Sequence, residues 1–293
     1  MKLGIGLKGS AYTPEAYAYA SFLKDKGWQV ELALEDCLDA NNDINILFMG
    51  IRPFWRKNKG RAKEIHEYQS LSVNPHSHLK DFLKKHLNRK PDGRIFLNDI
   101  VKTGLKLNDD TPYIYRDMGV EDELFQKPLI NPEFDIVYCG SITGRPGLIE
   151  ELIRLASLGF KLLIIGSVTE EVTGIFKNYS NIFLTGRVDR IEIPGLYRQC
   201  RSGLNFTPNI YPFNVQTSTK TLEYIAAGLN VITNKYQWVD RFAKTEGYDF
   251  LYLDDINDYT CLGLANYNSE KIKKYSWSNI LEEANFLSFL ESF

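Results

Sequence analysis

The chain has 293 residues, 44% apolar and 25% charged, with a net charge of −2. These proportions fit a folded globular protein of two ordinary domains, and no stretch reaches the roughly 20 uninterrupted apolar residues that a membrane span needs. Cys37, Cys139, Cys200 and Cys261 form neither a CxxC pair nor a disulfide pattern, and the N-terminus MKLGIGLKGS has no signal-like apolar core, so a reducing, cytoplasmic setting is expected.

Lys2 to Leu7 reads as a strand, followed by a turn and a helix from about Pro14 to Lys26; Gly27 closes the helix, and Trp28 to Leu34 returns as a second strand. This is a βαβ unit, and the turn after a first strand is where doubly wound sheets hold ligands. Gly9 in that turn allows close approach of a substrate, but without GxGxxG spacing a nicotinamide cofactor is not supported. Ile44 to Met49 is a buried parallel strand by its apolar run.

Charge is uneven from there on. Between Arg52 and Arg94 stand 12 Lys plus Arg against 4 Asp plus Glu, so the segment carries +8 and the remainder −10. With Phe54 and Trp55 inside it, this segment suits peripheral contact with an anionic membrane as well as a solvated face, whereas no nucleic-acid motif accompanies the charge. His66, in KEIHEYQSLSV, is expected at a strand end facing a cleft, where it could act as a base or bond a hydroxyl; the alternative is a structural histidine. His76 and His78 in NPHSH lack further ligands at metal spacing. Leu79 to Leu87 is a cationic amphipathic helix, Arg94 to Leu97 a strand, Ile100 to Leu105 a short helix and Tyr113 to Tyr115 a strand.

Gln126 to Glu133 holds two prolines without apolar periodicity and reads as a linker between domains at residues 1–127 and 134–293. The second domain restarts the βαβ pattern: strand Asp135 to Cys139, glycine-rich loop Gly140 to Gly147 with Arg145, helix Leu148 to Leu158, strand Lys161 to Ile165. Arg145 stands beside a helix start, where it could pair with a phosphate. Asn181 to Thr185 continues the sheet, Gly186-Arg187-Val188 turns, Ile193 to Cys200 is a helix and Ser202 to Thr207 a strand. In Asn214 to Asn234, Thr217, Ser218 and Thr219 are capping residues, Lys220 opens a helix, Gly228 suits its C-terminal left-handed position, and Asn230 to Thr233 is a strand. Free amides, hydroxyls and a lysine at one helix N-terminus make an anion site, unless the helix is merely capped. Ile280 to Phe293 carries apolar residues at helical spacing. The fold class is α/β, with two Rossmann-like domains facing one cleft and a C-terminal helix free to pack back on the first domain.

Gly140 to Gly147 with Arg145, Gly186-Arg187-Val188 and Lys220-Thr221-Leu222-Glu223-Tyr224-Ile225-Ala226-Ala227-Gly228 together resemble the GT-B glycosyltransferases, specifically the large retaining family four. In the first half, Gly9 and Asp117-Met118-Gly119-Val120 resemble that family's glycine loop and Asn-Gly-Val turn. The resemblance implies a hexose transferred from a nucleoside-diphosphate sugar to a glycan or lipid-linked acceptor in bacterial-type polysaccharide assembly. The transfer would be retaining and metal-independent, with no cofactor, at a cytoplasmic site on the inner membrane face. Arg145 and Lys220 would hold the pyrophosphate with amides of Thr217 to Thr219, Glu223 the ribose, Arg187 and Val188 the base, and His66 donor or acceptor; Asn214 and Gly9 would border the donor. Two positions depart from the family. The acidic partner eight residues before Glu223 is Val215, flanked by Asn214 and Gln216, and the first basic position of the diphosphate clamp is Ser141. These losses keep open a catalytically degenerate subunit supporting a partner transferase, and a sugar-nucleotide epimerase is a further alternative.

Overall fold

Apolar runs such as INILF and LLII bury both faces of a strand, which is the condition of a parallel sheet covered by helices. A computed structural model describes residues 1–9, 13–55, 60–72, 76–258, 262 and 269–293. Residues 10–12 of the first expected turn, 56–59 of the basic segment, Asn74 and Pro75 of NPHSH with the His78 side chain, and Cys261 lie outside the described residues.

The chain divides into two compact units. In unit 1 the elements are β1 (Lys2–Leu7), α1 (Pro14–Asp25), β2 (Gln29–Leu34), β3 (Ile44–Phe48), β4 (Lys63–Tyr68), α2 (Ser77–Leu87), β5 (Gly93–Phe96), α3 (Asp99–Leu105) and β6 (Tyr113–Tyr115). Pro14 opens α1, where its missing N–H costs nothing, and Gly27 leaves it at φ +85°. All six strands pair in parallel, in the order β2-β1-β3-β4-β5-β6.

Unit 2 contains β7 (Phe134–Cys139), α4 (Leu148–Ser157), β8 (Leu162–Ile165), α5 (Glu170–Phe176), β9 (Ile182–Gly186), α6 (Ile193–Arg198), β10 (Cys200–Asn205), α7 (Thr219–Ala226), β11 (Asn230–Thr233), α8 (Gln237–Glu246), β12 (Leu251–Tyr252) and α9 (Ser269–Ile272). Its parallel sheet runs β12-β11-β10-β7-β8-β9, the doubly wound Rossmann order with β7 as the first strand. Cys200, expected in a helix, instead pairs with Phe134 as the first residue of β10, because its buried side chain belongs under the sheet.

The division falls after Gly119, so the 126–133 stretch lies within unit 2, and residues 276–293, inside the expected second-domain boundary but with their helix left free to pack back on the first domain, belong to unit 1. There α10 (Trp277–Glu283) and α11 (Phe286–Glu291) are separated by Asn285 in the left-handed region, φ +51°. The reason for the placement is apolar burial: Trp277, Leu281, Phe286 and Leu290 join Leu3, Ile5, Tyr19, Leu23 and Ile65 in one core. A buried cation strengthens the join. Arg116, following β6, is 1% exposed, pairs with Glu67, and stacks its guanidinium 5.5 Å from the Tyr19 ring centre and 5.3 Å from that of Trp277. Tyr19 Oη donates to the same Glu67 carboxylate at 2.8 Å. Burial alone would pull the Arg116 guanidinium toward its neutral form, but the Glu67 carboxylate more than offsets this and it stays charged.

Leu281→Ala should lower the unfolding free energy of unit 1 by about 2–5 kcal/mol, the usual cost of a leucine-sized cavity. Urea denaturation followed by tryptophan fluorescence reads it; a change within about 0.5 kcal/mol would mean that residues 276–293 are an appended tail.

Candidate functional site

In unit 2 the strand order reverses between β7 and β10, and open α/β sheets hold ligands in the crevice outside the carboxyl ends of such a strand pair. A cleft of about 290 Å³ lies there, lined by Tyr138 and Cys139 from the end of β7, Arg145 from the glycine-rich loop, Asn205, Phe206 and Thr207 from the end of β10, and Gln216 to Lys220. The described cleft wall contains no carboxylate.

The N-terminus of α7 is fixed at this cleft by close packing. A Cβ on Gly203 of β10 would fall 2.3 Å from the Tyr224 ring, so glycine alone lets α7 lie on the sheet. Tyr224 Oη in turn accepts the N–H of Cys139 at 3.1 Å, joining the helix to the end of β7. Ser218 caps the helix: its Oγ accepts from the Thr221 N–H at 3.2 Å and donates to Asn205 Oδ1 at 3.0 Å. Asn205 Nδ2 donates to Tyr236 Oη at 2.8 Å and to Thr233 Oγ1 at 3.2 Å, so the cap is bonded to β10, β11 and the start of α8. The first intrahelical bond is Leu222 N–H to Ser218 O, which leaves the amides of Thr219 and Lys220 ahead of the ladder, pointing their partial charge toward the cleft end.

Lys220 is held by its own helix. Its Nζ lies 2.5 Å from Glu223 Oε2, one turn on, and Glu223, 2% exposed, also accepts from Tyr197 Oη at 3.0 Å. Arg190 lies 3.8 Å from the other Glu223 oxygen and pairs with Glu121. Burial by itself lowers the Lys220 pKa, but the Glu223 carboxylate outweighs it, so the net shift is upward and the ammonium is charged at neutral pH. Burial also raises the pKa of Tyr138, against the pull of Arg145, keeping a neutral hydroxyl that donates to Ser141 O at 2.7 Å. Arg145 donates to Phe206 O, which ties the glycine-rich loop to the segment after β10. The loop reaches that position through Gly144 and Gly147, both at positive φ.

Of the residues expected at a site, Arg145, Thr217, Ser218, Thr219 and Lys220 meet on this cleft. Glu223 does not line it, because its carboxylate faces inward to Lys220, Tyr197 and Arg190. Asn214 also stands off the cleft wall and donates from Nδ2 to Asn209 Oδ1 at 3.1 Å. Arg187, exposed, and Val188, half-buried, follow β9 at the sheet edge, two strands from β7. Gly9 follows β1 in unit 1, where among the described residues an added Cβ would meet only Leu34, at an ordinary contact distance of 3.8 Å. His66 is not at a strand end facing a cleft. It is inside β4 and wholly buried, 3.7 Å from Glu64, and burial lowers its pKa and keeps the ring neutral. Among the described residues neither ring nitrogen has a partner at hydrogen-bond distance, and the nearest charge is the Glu64 carboxylate.

Asn205, Thr207, Gln216 and Tyr138 line the cleft without having been singled out as site residues. For Asn205 and Thr207 the signal is present as polar residues ending the apolar strand SGLNFT, which is where a parallel sheet presents side chains to a ligand.

Neither a family model nor a curated protein sequence matches the chain. Among solved structures it is similar to AviGT4, a glycosyltransferase involved in avilamycin A biosynthesis, at 13% identity over 99% of this chain and 97% of that one, with a TM-score of 0.65. It is similar to Anabaena Alr3699/HepE, seen in complex with UDP and glucose, at 10% identity over all of both chains, TM-score 0.66. It is also similar to the T4 phage BGT, seen with its UDP-glucose substrate, at 16% identity over 100% of this chain and 98% of that one, TM-score 0.54. The chain has the GT-B fold. At these identities the likeness carries the fold and no residue roles; within the GT-B frame, the cleft of unit 2 stands at the switch point of the second Rossmann sheet.

Because the Lys220 pKa is raised, the stability contributed by the pair is complete below the ordinary value of 10.5 and is lost as pH rises through the higher folded value. In Glu223→Gln burial is no longer offset, so the Lys220 pKa should fall below its wild-type value. Lysine side-chain NMR titration reads this, and an unchanged Lys220 titration would remove Glu223 as the holding charge.

Proposed function

We propose that the protein is a glycosyltransferase that moves a hexose from a nucleoside-diphosphate sugar, a uridine diphosphate hexose in the first instance, to a glycan or lipid-linked acceptor, with retention and without a metal. The observation that carries this reading is the meeting of Arg145, Lys220 and the N-terminus of α7 at the switch-point cleft. Two cations and a helix N-terminus converging in a half-buried crevice form an electrostatic cradle for a diphosphate. The GT-B neighbours seen with UDP, UDP-glucose or UDP and glucose support the donor class.

The chemistry follows from those charges. The bond between the anomeric carbon and the diphosphate oxygen breaks with its electron pair leaving on the diphosphate. The acceptor hydroxyl oxygen then bonds to that carbon on the same face, and its proton passes to the departing diphosphate. Arg145 and Lys220 stabilise the negative charge that grows on the leaving group, which is where preorganised charge lowers a barrier most. Such a route requires no side-chain base, in keeping with a described cleft wall that holds no carboxylate. In this reading Arg187 and Val188 border the base, and peripheral contact of residues 52–94 with an anionic membrane brings a lipid-linked acceptor within reach. Assembly of polysaccharide on the inner membrane face is the setting it implies.

The missing carboxylate also favours a second reading, a donor-binding subunit without its own turnover that supports a partner transferase. Incubation of purified protein with UDP-glucose and an acceptor panel separates them, since only the first releases UDP in proportion to glycosylated product.

Lys220→Ala should reduce transfer by about 10²-fold or more, the scale of losing one preorganised transition-state charge, with far-UV circular dichroism unchanged because Glu223 keeps Arg190 and Tyr197. Wild-type turnover by that variant would refute the assignment. Excess chelator should leave the wild-type rate unaltered, and a rate that collapses with EDTA and returns with a divalent ion would contradict metal-independent transfer.

A further inference from the structure

Helix α2 turns an apolar stripe outward. Leu79 and Phe82, one turn apart, are 56% and 57% exposed, and His86, one turn further along the same face, stacks on Phe82 with ring centres 4.3 Å apart. A core-seeking helix would bury such a stripe. The segment before β4 presents the same chemistry: Phe54 and Trp55, 62% and 61% exposed, meet edge to face at 5.0 Å. This segment is pinned to the end of α2 by an antiparallel bridge between Pro53 and Asn88. The Phe54 N–H donates to Leu87 O and the Arg89 N–H to Arg52 O, both at 2.8 Å. These backbone bonds fix the Phe54–Trp55 segment against the C-terminal end of α2 in unit 1.

Charge decides what this surface fits. Residues 76–90 carry five Lys or Arg against one Asp in a chain whose net charge is −2, and Lys85 and Lys90 are exposed. Exposed leucine and aromatic side chains beside lysines, on a helix with a polar opposite face, match an interfacial helix. The apolar groups enter the boundary between headgroups and acyl chains, while each lysine gains from an anionic headgroup. A duplex nucleic acid would use the lysines and leave Leu79 and Phe82 with no apolar partner.

We propose that α2 and the Phe54–Trp55 segment form a docking face for anionic lipid bilayers, with Phe54, Trp55, Leu79 and Phe82 inserted and Lys85 and Lys90 on the headgroups. The proposal deepens the functional reading, since it names the surface that would bring the enzyme to a lipid-linked acceptor, but it stands on unit 1 alone.

Sedimentation with vesicles of phosphatidylglycerol and phosphatidylcholine, and with vesicles of phosphatidylcholine alone, tests it on the full chain. The wild type should bind the anionic vesicles and release at high salt. The double variants Phe54→Ser/Trp55→Ser and Lys85→Gln/Lys90→Gln should each lose about tenfold or more in partition, the scale of removing an inserted aromatic or two headgroup charges. Phe54, Trp55, Lys85 and Lys90 are all exposed, so thermal unfolding and the thermal shift given by UDP should match the wild type. Absent vesicle binding, equal binding by the variants, or tighter binding of the same face to a DNA duplex would overturn the proposal. A protein that binds vesicles but not UDP would instead defeat the donor reading and leave this surface standing.

Discussion

The contact on which the second unit depends is the seating of Tyr224 over Gly203. With no Cβ at 203, α7 drops onto β10, and the Tyr224 hydroxyl reaches the Cys139 amide at the end of β7. Two strands and one helix are thereby fixed at the place where the sheet order reverses. A parallel Rossmann sheet always opens a crevice there, but whether the crevice is positive depends on which helix N-terminus stands over it. The Ser218 cap and its bond to Asn205 set that N-terminus, and Lys220 follows two residues later.

Charge at the cleft is organised in alternation. Lys220 alone would lose its proton more readily on burial, and Glu223 alone would be a buried carboxylate with no counter-ion. Together with Arg190, Glu121 and Tyr197 they form a chain of opposite charges and a phenol in which each buried group has a partner. Glu223 therefore serves the cation, and the cleft wall that faces a ligand presents positive charge, amides and hydroxyls. In unit 1 the same logic appears without a cleft. Arg116 is enclosed by Glu67, Tyr19 and Trp277, and this enclosure joins residues 276–293 to the first sheet.

Local pattern was enough to read much of this from the chain. The strands at Lys2–Leu7, Tyr113–Tyr115 and Asn230–Thr233 announce themselves by apolar runs, and Ser218 and Gly228 mark the ends of α7 by capping chemistry. The cluster of Arg145 with Thr217 to Lys220 was legible because each lies at a loop-to-helix start, the positions that converge in a doubly wound sheet. What escaped was tertiary. The inward turn of Glu223 depends on Tyr197 and Arg190, 26 and 33 residues away, and no spacing reveals them. The burial of His66 depends on strands on both sides of β4, and the return of the C-terminal helix to the first domain, open in the sequence, is decided by a cation and rings far away from Trp277 in sequence. Amphipathic spacing marks a helix at the C-terminus but does not say which core receives it.

The central claim is that the cleft of unit 2 recognises a diphosphate. Calorimetric titration of the purified protein with UDP and with uridine isolates that claim, because the two ligands share base and ribose and differ in the charged group. The account predicts that UDP binds at least about tenfold more tightly than uridine, as two charge-assisted partners would give. Equal affinity for the two, or binding of neither, would contradict it.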